Sequence, residues 1–121
     1  MSKTVLTVDD SRTMRDMLRL ALADAGFRVV QAEDGVHGLE ILKGETPNVI
    51  VTDINMPRMD GFGFIENVRS DVRHRAIPIL VLTTESDAAK KDRARRAGAT
   101  GWIVKPFDPV RLVDAVRRVA A

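Results

Sequence analysis

Apolar positions along the chain fall into two alternating patterns. Short runs rich in Val and Ile, "TVLTV" (4–8), "RVVQA" (28–32), "VIVT" (49–52), "IPILVLT" (77–83) and "GWIVK" (101–105), are bounded by turn residues and read as strands. Between them, apolar residues recur with helical spacing. Met14, Met17, Leu18, Ala21, Leu22 and Ala25 form a stripe that predicts an amphipathic helix with its methionines in the core. A short second helix is expected over about 35–43, weakened by Gly38. A third begins near Gly61 and turns Phe62, Ile65, Val68 and Val72 inward. The fourth, about 87–97, stops at Gly98, and the fifth, about 109–120, presents Leu112, Val113, Val116 and Ala120 inward. Strand followed by helix, five times over, predicts an α/β fold with a parallel sheet covered on both faces and right-handed crossovers.

The strand ends carry the chemistry. The first strand ends in Asp9-Asp10, the third in Asp53, the fourth in Thr83 and the fifth in Lys105, whereas the second ends in nothing comparable. Ligands of open α/β sheets sit outside the carboxyl ends of the strands, where strand order reverses. In a 2-1-3-4-5 order that crevice lies between the first and third strands, both of which end in carboxylates. Three negative charges against one lysine leave a surplus that a divalent cation would balance. Oxygen ligands without His or Cys call for a hard ion, Mg²⁺ first and Mn²⁺ as a substitute. Such an ion keeps waters that a phosphoryl group can replace. Asp10 or Ser11 can also cap the first helix. His37 and His74 lie at no strand end and are expected on the surface.

Composition narrows the class. The 121 residues suit one domain, 1–121, without a separate output domain, and the absence of cysteine removes disulfides and thiolate metal sites. Neither a signal peptide nor a membrane-spanning run is present, so a cytoplasmic protein without membrane insertion is expected. A net charge of +2, with one Trp and four Phe not interleaved with the basic residues, argues against nucleic acid as a partner.

The fragments "VDDS", "DINMPRMDG", "LTTE" and "GWIVKPFDP" together resemble the receiver domain of two-component response regulators, in particular the single-domain chemotaxis (CheY-like) type, over essentially the whole chain. The resemblance implies a flavodoxin-like doubly wound (βα)5 fold. It makes Asp53 the phosphoacceptor for a phosphohistidine on a CheA-like sensor histidine kinase. Asp10, Asp53 and the backbone carbonyl of Asn55 would bind Mg²⁺, with Asp9 acting through a metal-bound water. Lys105 would pair with Asp53 and later with a phosphoryl oxygen, and Thr83 would bond another. The Lys105-Pro106 bond would be cis. Asn55 and Glu85 would tune self-dephosphorylation. Trp102 occupies the switch position, where the family usually has Tyr or Phe; its larger ring brings an N–H that needs a partner when buried.

The resemblance also implies an output face built by the fourth helix, fifth strand and fifth helix. The segment "KKDRARR" (90–96) places Lys90, Lys91 and Arg95 there beside Trp102 and Arg111, a surface suited to an acidic partner such as a flagellar motor switch protein. A monomeric signalling protein rather than an enzyme is expected, with a phosphatase as a further partner. The rival readings are a phosphorelay or cell-cycle regulator, an Asp-nucleophile phosphatase and an FMN binder. The phosphatase normally uses a second Asp where this chain has Asn55, and an FMN site places phosphate donors where it has Asp9 and Asp10.

Overall fold

A computed structural model describes residues 2–120. Strands β1 (Thr4–Val8), β2 (Arg28–Ala32), β3 (Val49–Thr52), β4 (Ile79–Thr83) and β5 (Gly101–Val104) alternate with helices α1 (Arg12–Asp24), α2 (Gly35–Leu42), α3 (Gly61–Ser70), α4 (Ala88–Ala97) and α5 (Pro109–Val119). The sheet is parallel throughout, in the order β2-β1-β3-β4-β5. The strand order inferred from the polar strand ends is therefore the one observed.

Alternation within each strand divides the core in two. Leu6, Val8, Ile50, Ile79 and Val81 point to the face covered by α2, α3 and α4, where they meet Leu42, Phe64, Ile65, Val68 and Ala94. Val5, Val49, Val51, Leu80 and Leu82 point the other way, onto Leu18 and Leu22 of α1 and Leu112 and Val116 of α5. The central strands are buried on both faces, which is why they read as continuous apolar runs.

Each helix starts on an oxygen-bearing side chain that accepts a backbone N–H from its first turn: Ser11, Asp34, Asp60, Asp87 and Asp108. Helix α4 ends on Gly98 at φ +117°, the left-handed stop expected from the sequence. Arg69 secures that end. Its guanidinium donates twice to Gly98 O, at 3.0 and 2.8 Å, and also to Ile77 O and Arg75 O.

Several expectations need correcting. β4 begins at Ile79 rather than 77, following Pro78, which has no N–H to give a ladder. β5 ends at Val104, so Lys105 stands just beyond it. Val72 lies past the end of α3 and is exposed, because the chain leaves the helix at Asp71. Met17 is 46% exposed; only Met14 of the two α1 methionines packs on the core. His74 is buried at 3% exposure, in the turn after α3, with Nδ1 3.2 Å from Asp71 Oδ2. The N–H and guanidinium of Arg73 hold that same Asp71 carboxyl down to about 2.

Close contact explains the glycines at positions 38 and 61. A Cβ on Gly38 would lie 2.8 Å from the Phe64 ring, so the helix-weakening residue is what lets α2 approach α3. A Cβ on Gly61 would lie 2.3 Å from Asp53 O and 2.7 Å from Ile54 Cα, backbone atoms that cannot swing aside. We expect Gly61→Ala to destabilise the fold by about 2–3 kcal/mol in urea denaturation. Gly26→Ala, with open space around it but φ +95°, should cost only about 1 kcal/mol.

Candidate functional site

The carboxyl ends of β1, β3, β4 and β5 bring the predicted polar residues together. Asp9, Asp10 and Asp53 each offer a carboxylate oxygen within 4.8 Å of the others. Asp9 and Asp53 are buried, whereas Asp10 is exposed. Local bonds fix their aim. Asp9 Oδ1 accepts the N–H of Ser11, the residue that caps α1, and Asp53 Oδ1 accepts the N–H of Ile54 at 2.7 Å. Lys105 reaches in from the end of β5, and its Nζ donates to Asp53 Oδ2 and Asp9 Oδ2, both at 2.9 Å. The family resemblance implies a pair between Lys105 and Asp53; the structure adds Asp9 to the same ammonium. The Lys105-Pro106 peptide is cis.

The electrostatics carry the mark of surplus negative charge. Burial pushes the Asp9 carboxyl above the ordinary carboxylate range, with Asp53 adding to the rise and Lys105 and the Ser11 N–H opposing it. Burial would lower the Lys105 ammonium, but its bonds to Asp53 and Asp9 outweigh that and raise it. One cation thus serves two buried carboxylates, with a third beside them. This all-oxygen donor set fits a hard divalent cation.

Thr83 is fully buried at the end of β4, and its Oγ1 accepts the N–H of Glu85 at 3.3 Å. Asn55 and Glu85, each two residues beyond a strand-end site residue, meet through Asn55 Nδ2 and Glu85 Oε1 at 3.4 Å. Trp102 is half-buried, and its Nε1 donates to Glu85 O at 3.2 Å, so the indole N–H has the partner it needs.

The chain matches the family of the response regulator receiver domain over residues 5–117. The chain belongs to that family. It is 43% identical to the chemotaxis protein CheY1 of Helicobacter pylori over 117 residues, which are 95% of this chain and 94% of that one. The solved structure of the chemotaxis response regulator CheY4 of Vibrio cholerae superposes with a TM-score of 0.93 at 43% identity, covering 98% and 99% of the two chains. A probable transcriptional regulator, Ycf27 of Porphyridium aerugineum, is 36% identical over 115 residues, but these are only 47% of its length. This receiver is therefore of the chemotaxis-regulator type, a signalling protein. Among the described residues no helix is long and apolar enough to cross a membrane.

The residues expected on the output face are divided by the structure. Lys91 and Arg95 of α4 line a groove of about 360 Å³ between α4 and β5, floored by Ala94, Gly101 and Trp102. Arg95 is paired with Asp92 at 2.5 Å. Arg111 is exposed on the other side of β5, in a second groove that shares Trp102. Lys90 lines neither; its Nζ is 3.0 Å from Glu85 Oε1. One contact had no signal in the sequence. Asp34, the cap of α2, accepts two bonds from the Arg58 guanidinium, at 2.8 and 3.0 Å, and this fork holds Arg58 at φ +65° in the loop between Asp53 and α3. The Arg58 fork also pulls the Asp34 carboxyl below its ordinary range.

A raised carboxyl gives a pH dependence of definite sign. Without divalent cation, Asp9 should cost stability progressively as pH rises from the ordinary carboxylate value through its raised one, because the folded state must then hold the charge in a buried place. Relative to Asp9→Asn, the wild type should therefore lose stability as pH rises above the ordinary carboxylate value of about 4 in denaturant titrations. Millimolar Mg²⁺ should narrow that gap.

Proposed function

We propose that the chain is a stand-alone switch in which Asp53 accepts a phosphoryl group from a phosphohistidine on a CheA-like sensor kinase and the α4–β5–α5 face then engages an output target in chemotaxis. The observation that carries this reading is the Lys105 ammonium shared by Asp53 and Asp9 in a crevice with three converging carboxylates. Alignment over 95% of this chain and 94% of a chemotaxis protein supports the role in chemotaxis.

Each residue has a task that follows from its place. The rigid end of β3 holds the Asp53 carboxylate outward as a nucleophile, one oxygen fixed by the Ile54 N–H. Phosphoryl transfer needs positioning and charge neutralisation more than covalent help. Lys105 follows the charge, from the carboxylate oxygen to a phosphoryl oxygen. The Thr83 hydroxyl has a proton to donate to another phosphoryl oxygen while it accepts from Glu85 N–H. Asp10, Asp53 and the Asn55 carbonyl would hold Mg²⁺, with Asp9 through a water; Mn²⁺ fits the same donors. When bound, the ion supplies positive charge to the phosphoryl oxygens. Asn55 and Glu85 stand where they tune the lifetime of the modified state.

For output, the apolar floor of the α4–β5 groove and its Lys91 and Arg95 rim suit an amphipathic acidic segment, such as one from a flagellar motor switch protein. Trp102 forms part of that floor and is bonded to Glu85 O, so a shift of the loop after Thr83 is felt in the groove. Phosphorylation and partner binding then reinforce each other by linkage.

Labelled kinase should transfer phosphoryl to the wild type and not to Asp53→Asn, and Lys105→Met should slow transfer by roughly 100-fold. Persistent labelling of Asp53→Asn would remove the assignment. Trp102 is the only Trp, and its fluorescence should change when an acyl-phosphate donor and Mg²⁺ are added together. The double variant Lys91→Glu/Arg95→Glu should weaken binding of an acidic target roughly tenfold, read by titration, and leave phosphotransfer intact.

A further inference from the structure

Four contacts converge on Glu85. Its N–H donates to Thr83 Oγ1 and its carbonyl accepts from Trp102 Nε1. A single carboxylate oxygen, Oε1, accepts from Asn55 Nδ2 at 3.4 Å and from Lys90 Nζ at 3.0 Å. Asn55 and Glu85 thus bridge the loop after Asp53 and the loop after Thr83. The bond to Asn55 is long and has a neutral donor, whereas the bond to Lys90 is shorter and joins two charges. The carboxyl of Glu85 is held below its ordinary range by Lys90 first and Asn55 second.

Helix preference does not account for a lysine at position 90. The first turn of α4 is the positive end of the helix dipole, where a cation is disfavoured, and the carboxylate of the capping Asp87 is engaged by the Ala89 N–H. What does account for Lys90 is the carboxylate of Glu85, five residues earlier and outside the helix.

We propose that Lys90 is a positioning residue that holds the Asn55–Glu85 bridge across the approach to Asp53, slowing both the arrival and the loss of the phosphoryl group. The proposal rests on Asp53 being the acceptor. When a small acyl phosphate is the donor, an Asp53 oxygen bonds to phosphorus as the bond from phosphorus to the acyl oxygen breaks, and the donor leaves as a carboxylate. In hydrolysis a water oxygen bonds to phosphorus as the bond to Asp53 breaks, giving the Asp53 carboxylate, inorganic phosphate and a proton. Both displacements are in line. The leaving carboxylate of the first and the attacking water of the second therefore occupy the same place, opposite the Asp53 oxygen. A group that narrows this approach slows both steps together. A group that merely stabilised the phosphorylated state would slow its loss alone.

The test measures both rate constants with a small acyl phosphate and Mg²⁺. Lys90→Met should raise both by a similar factor, roughly three- to tenfold. Lys90→Arg should keep wild-type values, and Arg96→Met, which removes a charge from the far end of the same helix, should change neither. In a Glu85→Ala background, Lys90→Met should have no further effect. A second readout needs no phosphoryl group: in unphosphorylated, cation-free protein, Lys90→Met should shift Trp102 emission, because the indole is bonded to Glu85. Unchanged rates, rates moving in opposite directions, an undiminished effect in Glu85→Ala or an unmoved emission would each overturn the proposal. Should Asp53→Asn become phosphorylated like the wild type, the acceptor assignment falls and this inference with it. Where Asp53 is the acceptor and Lys90→Met moves neither rate, only this inference falls.

Discussion

The structure turns on one ammonium group. Lys105 extends from the end of an edge strand, past the end of β4, to carboxylates at the ends of β3 and β1. Through that one group the ends of β1, β3 and β5 are tied together by side chains. Two buried carboxylates and a neighbouring third exceed what one lysine can neutralise, so the crevice is poorly compensated by the protein alone. That shortfall is what makes it useful. A fully neutralised cluster would have no reason to bind a cation or to present a carboxylate to phosphorus, and natural proteins accept such local cost at functional sites.

The fold supplies rigidity to that unstable cluster. Asp9 and Asp53 are each fixed by a neighbouring backbone N–H, and each continues a strand buried on both faces. Close contact of Gly61 with the Asp53 backbone brings α3 directly under the acceptor. By contrast α4 buries only Ala94 among its residues, so the element nearest the output groove is the most lightly packed of the helices. Firm scaffolding under the acceptor and light packing beside the groove suit a switch, in which one part must stay and another must move.

Much of this was legible in the sequence because periodicity and punctuation agreed with the fold. Five apolar runs became five strands, and carboxylates at two of their ends indicated where strand order reverses. What escaped were contacts between residues of unremarkable type. Asp34, Asp60, Asp87 and Asp108 look in a sequence like Asp10; only the structure separates helix caps from crevice acids. His74 is buried because the turn after α3 folds back, and nothing in its neighbours' hydropathy announces that. Met17 is exposed because the inward stripe of α1 is narrower than its apolar spacing suggests. Lys90 read as part of a basic surface, since charge counting cannot see that its partner lies outside its own helix.

The two ends of α4 are held by different physics. At its C-terminus, Arg69 donates to uncharged carbonyls in a partly buried place. At its N-terminus, Lys90 and Glu85 form an ion pair with side chains 44% and 28% exposed. Dissolved ions screen the second far more than the first, over a Debye length of roughly 8–10 Å at ordinary ionic strength. Rising ionic strength therefore weakens the hold at one end more than at the other, and the weakened end adjoins the acceptor crevice.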